Sequence, residues 1–210
     1  MRYAGMPMAM WCLLHGSFTR QLTAVLGQTG ASAKETERAA KQTYRQIIAR
    51  LPAFERGDRF RMNIVNCAML GAYVLHMPLR PTLAQLTEYY EKAMMIPLVR
   101  WICRLSGKRK FSAKDMAAMR QTEQRRAADR NPYSWNMTLL PYEDGSGYEA
   151  RFTRCGICTL MRELGLYDLT PAMCRLDYAM TEAGETAEFV RQYTLASGGP
   201  YCDCGYKKKA

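Results

Sequence analysis

Two short runs, Trp135-Asn136-Met137-Thr138-Leu139-Leu140-Pro141-Tyr142 and Tyr148-Glu149-Ala150-Arg151-Phe152, flank the connection Glu143-Asp144-Gly145-Ser146-Gly147. Both runs are rich in aromatic and β-favouring residues, and a Gly-rich link between such runs predicts an antiparallel hairpin. Before Pro132 the pattern is different: apolar positions recur at three- and four-residue steps, the period of helices packed on one face. The change of period at this stretch makes the chain α+β, with an N-terminal layer of about five helices packed with a C-terminal antiparallel sheet of about four strands and two short helices. We expect a single domain over 1–210, its helical portion at 1–131 and its α+β portion at 132–210.

Working outward toward the N-terminus, Met10, Leu13, Leu14, Phe18, Leu22, Val25 and Leu26 define the inner face of a first helix from Met8 to Leu26, with Gly27 as its stop. Ser32-Ala33-Lys34-Glu35 has the form of a capping box, in which hydroxyl and carboxylate each satisfy an orphan amide. It opens a second helix that runs through Tyr44, Ile47, Ile48 and Leu51 to Pro52. The charged lead-in Arg56-Gly57-Asp58-Arg59-Phe60-Arg61 precedes a third helix from about Met62 to His76. Thr82 caps a fourth, which Pro97 should kink or divide because it removes an amide and crowds the preceding turn. Ser112-Ala113-Lys114-Asp115 caps a fifth, ending before Asn131-Pro132. Beyond the hairpin we expect a short helix from Gly156 to Leu164 stopped by Gly165, and a helix from the N-cap Thr170 through Pro171 to about Glu182. Two further strands follow, Phe189 to Ala196 and Tyr201 to Lys207.

The chain has 210 residues, 48% of them hydrophobic and 23% charged, enough for a sizeable core and too apolar for a disordered chain. Its 15 methionines suit irregular gaps in helical cores. The formal net charge of +11 draws in anions. No helix-turn-helix, zinc-finger or aromatic-basic RNA-binding pattern accompanies it, so a small anionic substrate is the expected partner and nucleic acid is not. The apolar run Tyr3 to Leu14 is interrupted by Pro7 and reads as the buried face of the first helix, not as a signal peptide. No run approaches 18 apolar residues, so no membrane association is expected and the location read from the sequence is cytoplasmic, with thiols reduced.

Five of the eight cysteines fall within the last third, at Cys155, Cys158, Cys174, Cys202 and Cys204. Cys174 and Asp177 are three apart on a helix and so share a face. Cys155 and Cys158 lie where a strand hands over to a helix, and amides at a helix N-terminus favour a thiolate. On a strand, Cys202 and Cys204 point one way and Asp203 the other. Three readings compete: a zinc site of Cys155, Cys158, Cys202 and Cys204, a catalytic cluster, or buried reduced thiols. Cys12, Cys67 and Cys103, each on an apolar helix face, read as buried reduced thiols. His15 and His76 are the only histidines, both in the helical half, which argues against a Ser-His-Asp triad or a His-ligated catalytic metal.

Arg154-Cys155, Glu163-Leu164-Gly165, Cys174-x-x-Asp177, Arg191-x-x-Thr194-Leu195, Gly199 and Cys202-Asp203 occur in an order and spacing that resembles the bacterial L-2-amino-thiazoline-4-carboxylic acid hydrolases. Upstream, the 56–61 lead-in and Trp135 extend the resemblance. An aromatic is expected after the Cys-Asp pair where this chain has Cys204, so Cys204 and Cys158 fall outside the shared pattern. The resemblance implies that water adds to the amidine carbon of a cyclic isothiourea and that the ring C–S bond breaks, yielding N-carbamoyl-L-cysteine without a cofactor. It further implies a catalytic set of Cys155, Cys174, Asp177, Cys202 and Asp203. In this set Cys174 and Cys202 are candidate nucleophile and acid, Asp177 is base or amidine partner, and Asp203 is a second amidine partner if turned inward. Arg191 holds the substrate carboxylate, supported by the Thr194 hydroxyl. The alternative from a different class is a non-catalytic small-molecule-binding or sensor domain whose cysteines, with or without zinc, are structural.

Overall fold

The computed structural model describes residues 5–55 and 58–209; Arg56 and Gly57 of the charged lead-in and the start of the N-terminal apolar run lie outside the described residues. Six α-helices come first: α1 (Met6–Ala24), α2 (Gly30–Arg50), α3 (Arg61–Val74), α4 (Leu83–Met94), α5 (Pro97–Gly107) and α6 (Ala113–Ala127). The hairpin strands β1 (Thr138–Pro141) and β2 (Gly147–Phe152) follow, then α7 (Gly156–Glu163), α8 (Pro171–Ala183), β3 (Ala187–Val190) and β4 (Cys202–Lys208). Among the described residues the helical part contains six helices, since Pro97 divides the fourth as expected: it occupies the first turn of α5, where its missing amide costs nothing.

The core is built around α3. From Cys67 to Val74 every residue of that helix is buried, and it packs against α2 on one side and α7 on another. Trp11, Phe18, Tyr44, Tyr73, Tyr89 and Tyr90 fill the space between α1, α2, α3 and α4. Burial of so many phenols works because several hydroxyls are partnered: Tyr44 donates to the Pro7 carbonyl at 2.8 Å, and the Tyr73 hydroxyl meets Thr19 at 3.2 Å. Cys67 and Cys103 are buried as expected, whereas Cys12 and Leu13 are exposed on α1. Among the described residues no helix is long and apolar enough to cross a membrane.

Local chemistry explains where the elements begin. Thr82 and Gln85 form a reciprocal capping box on α4, and Ser112 accepts from the Asp115 amide at 3.1 Å on α6. At α2 the cap lies three residues before the expected Ser32: Thr29 accepts from the Ser32 amide at 3.2 Å, which places Ser32 inside the helix. Thr170 makes no side-chain cap on α8, because a 3-10 turn at Tyr167–Leu169 runs straight into the helix and holds Thr170 in helical geometry. Gly165, at φ +69, takes the left-handed conformation that lets the chain leave α7.

The sheet is antiparallel throughout, in the order β1-β2-β4-β3. Two strands are shorter than their sequence suggests, for the same reason. Residues 135–137 do not pair, because the Asn136 side chain takes the amides of Thr153 and Arg154 at 3.0 and 2.7 Å. β3 stops at Val190, not Ala196, because the Asp203 carboxylate takes the amides of Gln192 and Tyr193 at 2.8 and 2.6 Å. The chain then turns through a 3-10 segment at Leu195–Ser197 instead of extending the ladder. With α8 packed on α4 and β3, this turn is set beside the buried ends of α8 and β4.

Candidate active site

Helix α8 presents Cys174 and Asp177 one turn apart, and Arg191, the first residue beyond β3, reaches back to both. Its Nη1 donates to the Cys174 carbonyl at 2.8 Å; its Nη2 donates to Asp177 Oδ2 and to Cys204 Sγ, the latter at 3.1 Å. The guanidinium lies over the Phe189 ring, 4.5 Å from its centroid. Arg191 is 6% exposed, whereas the Asp177 side chain keeps 42% of its accessible surface. Asp177 lines a cavity of about 210 Å³ with Lys110, Cys103 and Tyr206. On the other side of the Arg191–Asp177 pair, a cleft of about 840 Å³ opens between α4, α8 and the 191–197 turn, lined by Cys174, Arg175, Tyr178, Arg191 and Thr194.

The turn that carries Arg191 is held by the residues that follow it. Asp203 binds its first two amides; Thr194 caps the 3-10 segment by accepting from the Ser197 amide at 3.1 Å; the Gly199 amide closes onto the Thr194 carbonyl at 2.9 Å. The buried Cys202 sulfur accepts from the Leu195 amide at 3.2 Å. Thr194 therefore supports the turn. Asp203 faces away from Cys202 and Cys204, opposite Arg151 in the ladder, so it takes no place beside Asp177.

Cys155 occupies the N-cap of α7. The nearby Cys158 thiol, the amides of Cys158 and Ile157, and the Trp135 indole favour its ionised form. Together, with the Cys158 contact the largest, they hold the Cys155 thiol below its ordinary range in spite of burial. Gly156 permits this junction, since a Cβ there would sit 1.9 Å from the Tyr133 carbonyl oxygen. The neighbouring thiols are displaced the other way. Cys158 is raised by its bond to Cys155 and then by burial, Cys174 by burial and then by Asp177, and Cys202 by burial against the relief of the Leu195 amide. Cys204 is pushed up to about 12, chiefly by burial. Cys155, Cys174 and Cys202 are near enough for the charge of one to oppose ionisation of the others. One low thiol thus stands among thiols that remain protonated at neutral pH.

Three members of the site were not legible as such. Cys67 lies on α3 close enough to feel Cys155 and Cys174; its helix gives no sequence signal for this, because the contact is made across the fold. Arg175 lines the cleft with its guanidinium 4.6 Å from the Tyr178 centroid and has no carboxylate partner among the described residues. Lys110 sits 3.4 Å from the Tyr206 ring centroid and 5.6 Å from that of Tyr148. Burial pulls its ammonium down to about 8, against Asp115 and Asp177, which favour the charge.

A Lys whose pKa falls on folding is a cost while it remains charged, and the cost disappears as pH rises from the folded to the unfolded value. Wild type is therefore expected to gain stability relative to Lys110→Met between about pH 8 and the unfolded value of 10.5. The gain, on the order of 3 kcal/mol, is measured by urea unfolding of both proteins across that window.

The other sequence-derived possibilities separate cleanly. Cys204 is engaged by Arg191, Cys202 by the Leu195 amide, and Cys155 with Cys158 by each other. Among the described residues no three His, Cys, Asp or Glu side chains converge as a metal-ligand set. His15 pairs with Glu37 at 2.7 Å and His76 with Thr43 at 2.7 Å, both in the helical layer.

An open cleft that presents Cys174, Arg175 and Arg191, with Asp177 on the smaller cavity beside it, has the form of a small-molecule site. The sequence profile of the L-2-amino-thiazoline-4-carboxylic acid hydrolases matches residues 82–206, and the chain belongs to that family. The matched region starts at the N-cap of α4 and ends in β4, spanning every residue of the site described above except Cys67. Neither the curated proteins nor the solved structures give a match to this chain. The family's name gives the type as a hydrolase.

Proposed function

We propose that this chain hydrolyses a cyclic amidine of the 2-aminothiazoline-4-carboxylate type, with Cys155 as the nucleophile. The observation that carries this reading is the place of Cys155 at the N-cap of α7, where helix-terminal amides favour a thiolate, beside buried thiols held protonated. A thiolate that attacks and thiols that donate protons are the two components ring opening requires.

The Cys155 thiolate adds to the ring carbon that bears the sulfur and both nitrogens. The ring C–S bond breaks, and the departing sulfur takes the proton of Cys174, leaving an isothiourea on Cys155. Water then adds to the same carbon, giving a proton to the Cys174 thiolate. The carbon–Sγ bond to Cys155 breaks, releasing the ureido product and restoring the Cys155 thiolate. Overall one substrate and one water give one N-carbamoyl thiol acid. Asp177 accepts hydrogen bonds from the amidinium, and Arg191 positions Asp177. Arg175, at the cleft with its charge uncommitted, holds the substrate carboxylate, in place of the role the resemblance gives to Arg191. Cys202 remains a second proton donor, and Asp203 and Thr194 shape the turn.

The test is incubation of the purified chain with 2-aminothiazoline-4-carboxylate and related cyclic amidines, following release of free thiol. Ring opening that depends on Cys155 supports the proposal. Tight binding without thiol release would instead support the non-catalytic binding module. Asp177→Asn retains an acceptor for Arg191 but loses the charge that meets the amidinium, so turnover is expected to fall about 100-fold or more with the fold retained. Steady-state thiol release and circular dichroism check both parts.

A further inference from the structure

Cys158 has no part in the ring-opening scheme and lies outside the family's shared motifs, yet it stands in the first turn of α7, directly after Cys155 at the N-cap. The two cysteines are one turn apart at the start of α7, with the Thr159 amide bonded to the Cys155 carbonyl at 3.3 Å, so the first helical turn fixes their spacing. Gly156, pressed against Tyr133, fixes the approach of the chain to that turn. Cys155 retains some accessible surface while Cys158 is 6% exposed. One sulfur is thus placed to meet a reagent, and the other is placed behind it to resolve the product.

We propose that Cys155 and Cys158 form a redox-active dithiol that exchanges with small-molecule disulfides, cycling between two thiols and an intramolecular disulfide. The Cys155 thiolate attacks one sulfur of the reagent R–S–S–R, forming Cys155–S–S–R and expelling RS⁻. The expelled thiolate takes the Cys158 proton and leaves as RSH. The Cys158 thiolate then attacks the Cys155 sulfur and expels the second RS⁻, which is protonated by water. Two electrons pass from the dithiol to the reagent, giving one protein disulfide and two RSH. The second step is favoured by the first: the charge on Cys155 that holds the Cys158 proton is consumed when the mixed disulfide forms. Competing thiols of the cluster are disfavoured, since Cys67 is fully buried and Cys174, Cys202 and Cys204 stay protonated; the exposed Cys12 lies apart on α1. If Cys155 is also the hydrolytic nucleophile, oxidation switches hydrolysis off; that consequence rests on the function proposed above.

The experiment treats the full chain with oxidised glutathione and reads intact mass and disulfide-mapped peptides. The wild-type peptides that carry Cys155 and Cys158 are expected to lose two hydrogens through a link reversed by dithiothreitol, separately from any adduct on the exposed Cys12. Cys158→Ser is expected to stop at a glutathione adduct on Cys155. A link mapped to other cysteines, a persistent adduct on Cys155 of wild type, or no modification of Cys155 and Cys158 would overturn the proposal. The wild-type mapping decides the matter even if Cys158→Ser does not fold. Because mass is the readout, failure here is distinct from failure of ring opening. Where ring opening is observed, full loss of turnover on oxidation and recovery on reduction extend the proposal to regulation.

Discussion

Arg126→Met is expected to cost about 3–5 kcal/mol of unfolding free energy, the range found when one partner of a buried ion pair is removed. Arg126, near the end of α6, is 3% exposed. Its Nη1 donates to Asp58 at 2.7 Å, to Asp129 at 2.6 Å and to the Ser134 hydroxyl at 2.9 Å, and its Nη2 reaches Glu55 at 3.0 Å. Asp58, 1% exposed, also accepts from the Phe60 amide at 2.8 Å, where α3 begins. One guanidinium therefore ties the end of α6, the start of α3 and the approach to the hairpin. Methionine fills much of the volume but leaves the Asp58 carboxylate buried without its cation. Glu55, 68% exposed, is at the rim, and Glu55→Gln is expected to cost less than about 1 kcal/mol. Urea unfolding of the two variants beside wild type checks both expectations.

The same network has a pH signature. Burial works against ionisation of Asp129, but the Asn131 amide, Ser134 and Arg126 outweigh it and hold the carboxyl below its ordinary value. A depressed carboxyl contributes stability above its unfolded pKa, about 3.9, and that contribution is lost as pH falls through the lower folded value.

Cys155→Ser is expected to lower ring-opening turnover by about 100-fold or more while leaving the fold intact. Serine keeps the approximate size of the side chain and suits the N-cap position of α7. What disappears is the thiolate: a hydroxyl does not ionise in that setting, and no histidine lies in the site to serve as its base. Cys174→Ser is expected to be milder, since Cys202 remains as a nearby proton donor. The contrast separates nucleophile from acid. If Cys174→Ser were the inactive variant and Cys155→Ser the active one, the two roles would be exchanged.

The α+β plan was legible because its signals are local: the period changes at Pro132, and Pro97, Thr82 and Ser112 mark helix ends by their own backbone chemistry. Cys155 was placed correctly at a strand-to-helix junction for the same reason. What the sequence could not supply were choices made by distant partners. Asp203 had the right alternation on β4, but its preference for the Gln192 and Tyr193 amides over a ladder appears only when the strands meet. Arg191 looked like a free carboxylate clamp until Asp177 and Cys204 engaged it. Cys204, outside the family motif, and Cys67, on a helix more than eighty residues from Cys155, joined the cluster through packing alone. Thr170 holds the N-cap position ahead of Pro171 without a side-chain bond, whereas Ser32 lies inside α2 because Thr29 caps that helix.

The most direct test of the account is rapid-quench mass spectrometry of the reduced wild-type chain with 2-aminothiazoline-4-carboxylate. A substrate adduct that forms within the first turnover, maps to Cys155 and decays as free thiol product accumulates is the expected result. An adduct on Cys174 or Cys202, or undiminished thiol release by Cys155→Ser, would contradict it.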